Sequence, residues 1–383
     1  MDKPTVQDIF HRFYPAYLDQ YSPSPVQAKV AHNIMNCKTG AYGANVCVCE
    51  DCGFVQIHYN SCRNRCCQMC QAVPKEMWMD ARREDVLDAP YFHLVFTVPD
   101  ILNPVIYSNQ RLLYDALYHA ASSTISELTA DPKHLGAKVG YICILHTWGS
   151  EMNFHPHIHT ILLGGGLASN NQWKDNGENF FLPIRVISKM FRGKYLEELK
   201  RLWEEDKLVF HGTAEKFRNH YTFKELLDSC YGMDWIPHCK KTFNGAQTVI
   251  KYLGKYTHRI AVSNHRIVRM DDDTVTFLVK DYRNEGQWKE LTISGVEFVR
   301  RFLMHVPPRR FVRIRHYGLL CSRTKSQKLT LCRNLLGCKK YLSKLRDMEM
   351  PEILEHLYGI KVCVCKACGG HLGKPQMRMP LRC

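Results

Sequence analysis

The sequence predicts an α+β fold, a mostly antiparallel sheet flanked by helices. Three observations carry that expectation. Two strand-like runs, Lys138–Trp148 and Phe154–Leu163, are joined by only five residues, the spacing of an antiparallel hairpin. Helical patterns occupy Gln71–Leu87, residues 101–129 and Ser188–Asp206, between and after the strands. Cysteines crowd the two ends of the chain and are sparse between them.

Size and composition fit this. The 383 residues suffice for two or three domains, and 45% hydrophobic with 23% charged residues is ordinary for a soluble globular protein. The 52 Lys and Arg outnumber the 37 Asp and Glu, giving a net charge of +15 spread along the chain and favouring a polyanionic partner, most often nucleic acid. Met1–Phe10 lack the apolar core of a secretory signal, and no stretch approaches the roughly 20 apolar residues of a membrane span. A cytoplasmic location follows as the expectation. There, 18 cysteines are better explained as metal ligands and packed thiols than as disulfides.

From the amino terminus, residues 1–36 read as helical segments interrupted by the turn signal Ser22-Pro23-Ser24-Pro25. Two Cys-x-x-Cys pairs follow, Cys49/Cys52 and Cys67/Cys70. Each pair forms a knuckle presenting two thiolates, and two knuckles complete a tetrahedral structural zinc site. A redox dithiol is the competing reading, and the doubling argues against it. Cys47, Cys62 and Cys66 are spare, so ligand exchange is open. Arg63 and Arg65, between the knuckles, are candidates for phosphate contact.

Tyr91–Pro99 reads as a buried strand, and Lys138–Trp148 as its successor. In the next strand, His155-Pro156-His157-Ile158-His159, alternate side chains share a face, so His157 and His159 point the same way, about 7 Å apart along the strand. Such a pair can grip one divalent cation. The hairpin sets His146 nearly opposite His157, making it the first candidate for a third ligand, ahead of His155 and Glu151. Gly164-Gly165-Gly166 should stop the strand.

Residues 167–182 read as a polar loop, and part of 213–229 as a helix. Trp235–Lys241 reads as a strand. In the helical pattern Gly245–Thr257, Tyr252 and Tyr256 are four apart and share a face. Ile260–Met270 and Thr274–Lys280 form a hairpin turning at Asp271-Asp272-Asp273, and Val296–Met304 a helix. Arg309–Gly318 alternates basic and apolar residues; as a strand it would set Arg313 and Arg315 on one face, with Phe311 and Tyr317 interleaved, as a nucleic-acid groove requires. Residues 321–358 look helical and basic. In the tail, Cys365/Cys368 form one more knuckle, half of a possible second zinc site completed by Cys363, His371 or Cys383.

These motifs in this order resemble the rolling-circle, two-tyrosine transposases of bacterial insertion sequences, members of the HUH (His-hydrophobic-His) endonuclease superfamily. The resemblance spans roughly residues 10–375. It is carried by Cys49–Cys70 with Asn60-Ser-Cys-Arg-Asn-Arg65, by His155–His159, by Tyr252-Leu-Gly-Lys-Tyr-Thr-His-Arg-Ile-Ala-Val-Ser-Asn264, and by Arg315-His-Tyr-Gly318. It implies an HUH-type sheet with the histidine strand central and the tyrosine helix nearby. His157 and His159 would hold catalytic Mg²⁺ or Mn²⁺, and Tyr252 and Tyr256 would be the nucleophiles. Cys49, Cys52, Cys67 and Cys70 would bind structural Zn²⁺. One departure is that this family often has His then Cys-Pro where Cys66-Cys67-Gln68 stand, which leaves the choice between Cys66 and Cys67 open.

The implied chemistry is in-line attack of a tyrosine oxygen on a phosphodiester of single-stranded DNA, giving a 5′-phosphotyrosine and a free 3′-OH. Lys255, His258 and Arg259 would contact phosphate. The implied organisation is a zinc-binding DNA-recognition domain over 1–88, a catalytic domain over 89–318 and a basic carboxy-terminal region over 319–383. Its partner would be single-stranded DNA, as hairpin ends of the parent element. A replication initiator or relaxase would use the same chemistry, but no helicase region is present. A non-catalytic zinc nucleic-acid-binding protein would need the cysteines and not the tyrosines. A zinc hydrolase would need a carboxylate base, and no His-Glu-x-x-His motif supplies one.

Overall fold

The computed structural model describes residues 3–177, 182–235, 237–241, 248–249, 254, 261–281 and 285–378. Three antiparallel sheets organise them. The main sheet has the order β11 (Ile314–Gly318), β4 (Lys138–Trp148), β5 (Phe154–Leu167), β3 (Tyr91–Thr97), β7 (His238–Lys241), with the short β6 (Trp173–Asp175) on the far end of β5. The histidine strand β5 is therefore interior, paired with β4 on one side and β3 on the other.

Each strand alternates its side chains between two different surroundings. Phe92, Leu94, Phe96, Tyr141, Cys143, Leu145, Ile158 and Leu162 share one face. They form the largest apolar core with helices α5 (Gln110–Ala130) and α6 (Ile184–Glu204), reached through the short α4 (Asn103–Ser108) and followed by α7 (His220–Gly232). The opposite face carries His93, His157, His159 and His146, with Ile142, Ile144 and Ile161 beside them. A smaller core covers those isoleucines, including Met79 of α3 (Ala72–Arg83), Val249, and Leu329 and Cys332 of α9 (Lys325–Leu336).

The glycine run does not stop the strand as expected. β5 continues through Gly164–Gly166 to Leu167. A Cβ on Gly165 would overlap the Trp173 ring, and one on Gly166 the Lys138 carbonyl, so here glycine permits close approach of neighbouring strands.

The amino-terminal helices begin where the sequence marks them. Thr5 and Asp8 make a capping box for α1 (Val6–Gln20), and Ser24 and Gln27 another for α2 (Pro25–Met35), with Pro25 in the first turn. α1 packs on α8 (Gly295–Met304), with Phe10 edge-on to Phe302 at 5.2 Å and Phe13 filling the space a side chain on Gly295 would need. This second core joins α1 and α2 to the sheet of β8 (Ile267–Met270), β9 (Thr274–Asp281) and β10 (Gln287–Ser294). The Asp271–Asp273 turn is as expected, whereas β10 had no sequence signal because most of its residues are exposed.

The third sheet joins the two ends of the chain, in the order β12 (Gln376–Arg378), β1 (Ala44–Val48), β2 (Val55–Tyr59). Residues 321–358 are less helical than expected. α9 ends at the left-handed Gly337, and α10 (Met350–Tyr358) follows an irregular stretch. That stretch is tied to α3: the Tyr341 and Ser343 hydroxyls each donate to Asp80 at 2.6 Å, and the Leu345 amide donates to it at 3.0 Å.

Candidate metal centres

The hairpin register sets His146 directly opposite His157. The ring nitrogens of His146, His157 and His159 converge within 4.8 Å of one another, all three residues buried. His157 Nε2 and His159 Nε2 are 3.0 Å apart. Two ligands at right angles, each about 2.1 Å from one ion, would be separated by about 3.0 Å. His157 Nδ1–H donates to the His155 carbonyl at 2.7 Å, which leaves Nε2 with its lone pair facing the convergence point. Burial, with the His155 ring next, holds His157 down at about 4, so it is a neutral ligand at ordinary pH. Burial, then the neighbouring His146, His157 and His93, puts His159 well below its usual value. The donor set thus fits a divalent cation.

Two further features complete the centre. His93 Nε2 lies 2.9 Å from His159 Nδ1 on the side away from His157, and orients that ring. The sequence reading missed it, although its even spacing to Val95 and Thr97, paired with His159 and His157, would have placed it on the same face. Trp148 stacks on His146, ring centroids 4.5 Å apart. The other third-ligand candidates stand apart from the convergence point. His155 Nδ1 pairs with Asp100 at 3.2 Å, and the Glu151 carboxylate accepts from Asn153 at 3.3 Å.

The cysteines correct the sequence expectation. Cys49, Cys52, Cys67 and Cys70 do not form one site. Cys67 and Cys70 gather with Cys37 and Cys62, while Cys49 and Cys52 gather with Cys365 and Cys368. The cause is the β1–β2 hairpin: Cys49/Cys52 lie at its turn, and Cys37 and Cys62 flank its open end, where the Lys38 amide donates to the Asn60 carbonyl at 3.1 Å. The two knuckles are thus held at opposite ends of one ribbon. Cys70 Sγ is 3.4 Å from Cys37 Sγ and 3.5 Å from Cys62 Sγ. Of Cys66 and Cys67, the latter joins the cluster; Cys66 is buried elsewhere, its thiol pushed up to about 11 by burial. Cys37 had no paired spacing to single it out.

The arginines also divide. Arg63 is exposed, on left-handed backbone with φ 52°. Arg65 turns inward and donates to the carbonyls of Phe311 (2.6 Å) and Pro308 (3.1 Å). Arg315 lies on the helix-covered face of β11, pairs with Asp115 and sits 3.9 Å from the Tyr118 ring centroid. Arg313 is half-buried beside Cys66 and Arg65. Arg65, Arg313 and Arg315 therefore do not line an open groove, because β11 begins only at Ile314 and its arginine face meets α5. Tyr252, Lys255, Tyr256 and Arg259 lie outside the described residues. Between them Gly254 is buried against Met79, and just before them Val249 joins the core on the histidine face.

Fold and site together define an α+β protein with a buried three-histidine centre and two tetracysteine clusters. Two family models match the sequence: "Transposase zinc-binding domain" over residues 9–98 and "Putative transposase" over residues 140–328. A Sinorhizobium fredii (strain NBRC 101917 / NGR234) protein named "Putative transposase y4qJ" is 40% identical over 95% of this chain and 93% of its own length. The "Transposase for insertion sequence element IS801" of Pseudomonas savastanoi pv. phaseolicola is 30% identical over 79% of this chain and 72% of its own. A solved structure of the conjugative relaxase TrwC with oriT DNA aligns with TM-score 0.25 and 12% identity, over 43% of this chain and 71% of that one. The chain belongs to the family of rolling-circle, two-tyrosine transposases of bacterial insertion sequences, with an amino-terminal zinc-binding domain.

Proposed function

We propose that the protein nicks single-stranded DNA at the ends of its own insertion sequence and transfers the cut strand through 5′-phosphotyrosine intermediates. The observation that supports this most is the convergence of three buried imidazoles on the sheet face against which Val249, just before Tyr252, is packed.

On this reading His146, His157 and His159 hold the divalent cation, with Mn²⁺ suiting three imidazoles better than Mg²⁺. When bound, the cation polarises the scissile phosphate and offsets its developing charge. Tyr252 or Tyr256 attacks the phosphorus in line. The tyrosine O–P bond forms as the bond from phosphorus to the 3′-oxygen breaks, and the phenol's proton balances the 3′-OH released. The linkage keeps the ester's energy, so a later 3′-OH can reverse the step and join a new strand without a nucleotide cofactor. A second tyrosine allows a second strand to be cut while the first remains attached. Lys255 and Arg259 would steady the phosphates. His155 Nδ1 pairs with Asp100 at 3.2 Å, tying the start of β5 to the segment after β3. Residues 1–88 and 319–383 together would recognise the element's ends as hairpins, leaving catalysis to 89–318.

The test is nicking of labelled single-stranded DNA carrying the element's terminus, with Mn²⁺ or with EDTA, by wild type and by His157→Ala. Metal-dependent cleavage that falls by roughly a thousandfold in the variant supports the reading. Equal cleavage by both proteins, or cleavage indifferent to EDTA, would sink it.

A further inference from the structure

We propose that Cys49, Cys52, Cys365 and Cys368 hold a second structural zinc ion, which fastens the carboxy-terminal segment onto the amino-terminal module. The matched zinc-binding segment, residues 9–98, contains all four thiols of the Cys37, Cys62, Cys67 and Cys70 cluster, but only two of this one. The other two come from 313 and 319 residues further along the chain.

The geometry is that of a tetrathiolate site. Cys49 Sγ is 3.5 Å from Cys368 Sγ, and Cys52 Sγ is 3.7 Å from Cys365 Sγ. Four sulfurs about 2.3 Å from a central ion, tetrahedrally placed, stand about 3.8 Å apart. A disulfide would bring two of them to about 2.05 Å, far inside these separations.

The two halves are also built alike. Each is Cys-x-x-Cys-Gly. In one, Gly53 has φ +70° and its amide donates to the Cys49 carbonyl at 3.0 Å; in the other, Gly369 has φ +79° and its amide donates to the Cys365 carbonyl at 2.9 Å. Just beyond each glycine, the carbonyl of Phe54 accepts from the Cys49 amide at 2.9 Å, and that of Gly370 accepts from the Cys365 amide at 2.8 Å. The Ala367 and Gly370 amides point at Cys365 Sγ and Cys368 Sγ, each at 3.4 Å, as donors to thiolates do. Two knuckles of one design, face to face, share one ion.

The surroundings give the ion its purpose. The apolar cluster of this lobe consists of Cys47, Cys49, Cys365 and Leu372, three of them cysteines. So small a core cannot hold a lobe together alone, and small modules of this kind fold on their metal. Around it, the Glu50 amide donates to the His371 carbonyl at 3.1 Å, the Gly373 amide to the Val48 carbonyl at 2.9 Å, and β12 pairs with β1. The tail already lies along α3 through Tyr341, Ser343 and Leu345. Zinc there closes the chain into a loop, so that the amino-terminal module is completed only by residues that lie 313 and 319 positions further along.

Zinc counting on the full-length protein tests this. Elemental analysis should find two zinc ions per chain in wild type and one in Cys365→Ser/Cys368→Ser. A second measurement needs no variant: thiol alkylation of wild type, mapped by mass spectrometry while a chelator is titrated. Cys49, Cys52, Cys365 and Cys368 should become reactive together, as one set separate from Cys37, Cys62, Cys67 and Cys70. One zinc per wild-type chain, two in the double variant, or alkylation of Cys365 and Cys368 while Cys49 and Cys52 stay protected would each overturn the proposal.

Discussion

The histidine centre and the cysteine clusters are both sets of converging ligands, but they are assembled differently. The histidines come from adjacent strands of one hairpin, His146 lying opposite His157 in register. One cysteine cluster joins distant parts of the chain, Cys49 meeting Cys368 across 319 residues, while the other draws Cys37 to Cys70 across the β1–β2 ribbon. A site built by local pairing inherits its geometry from strand periodicity, which sequence spacing records. A site built by long-range packing depends on which knuckle meets which, and spacing is silent about that. The histidine centre should therefore tolerate damage to the carboxy-terminal segment, and the Cys49/Cys52/Cys365/Cys368 cluster should not.

That contrast can be broken in several ways. The largest effect expected is from His157→Ala, which should reduce metal-dependent nicking by roughly a thousandfold while leaving the zinc content and the melting temperature near wild type. A parallel loss of zinc would show that the two kinds of site are not independent. Next is His93→Phe, which removes the partner of His159 Nδ1 and leaves the three converging rings. Metal affinity should drop about 10- to 100-fold, with nicking recovered at saturating Mn²⁺ in a titration.

Acid stability is a third and smaller effect, and it can be read at a histidine outside the ligand set. His305 is buried, donates from Nε2 to the Met152 carbonyl at 3.0 Å, and accepts at Nδ1 from Thr147 at 3.2 Å. Burial holds it at about 4 in the folded chain. The unfolded chain then binds the extra proton between about pH 6.5 and 4, so this contribution is present above 6.5 and lost as pH falls towards 4, by up to roughly 3 kcal/mol. Chemical denaturation of chelated protein across that range, for wild type and His305→Gln, should give a flatter pH dependence in the variant.

The smallest effects separate two arginines that look alike in the sequence. Arg315→Ala loses its stacking on Tyr118 and its bond to Asp115, and should cost about 1 kcal/mol of stability with little change in the salt dependence of DNA binding. Arg63→Ala should leave stability unchanged and lower the salt slope by about one, as loss of a single phosphate contact would. Melting curves and binding isotherms at several salt concentrations check both.

The same local-versus-distant rule explains what could be read in advance. The β4–β5 hairpin, the shared face of His157 and His159 and the position of His146 follow from periodicity, and the structure has them where the spacing put them. The partition of Cys49, Cys52, Cys67 and Cys70 between two clusters was not legible, because the β1–β2 ribbon holds the knuckles apart and Cys37 has no paired spacing. His93 was hidden in an apolar strand. Arg315 looked like a groove residue because alternation alone does not reveal which face a helix covers. The glycine run looked like a strand end because close approach by Trp173 is invisible in one dimension.

The most direct test of the central claim is to trap the covalent protein–DNA adduct formed with Mn²⁺ on a single-stranded element end, digest it, and locate the modified residue by mass spectrometry. The account predicts a nucleotide joined through its 5′-phosphate to Tyr252 or Tyr256, absent in the Tyr252→Phe/Tyr256→Phe protein and in the presence of EDTA. Cleavage of the same DNA with no covalent adduct, or an adduct on any other residue, would contradict it.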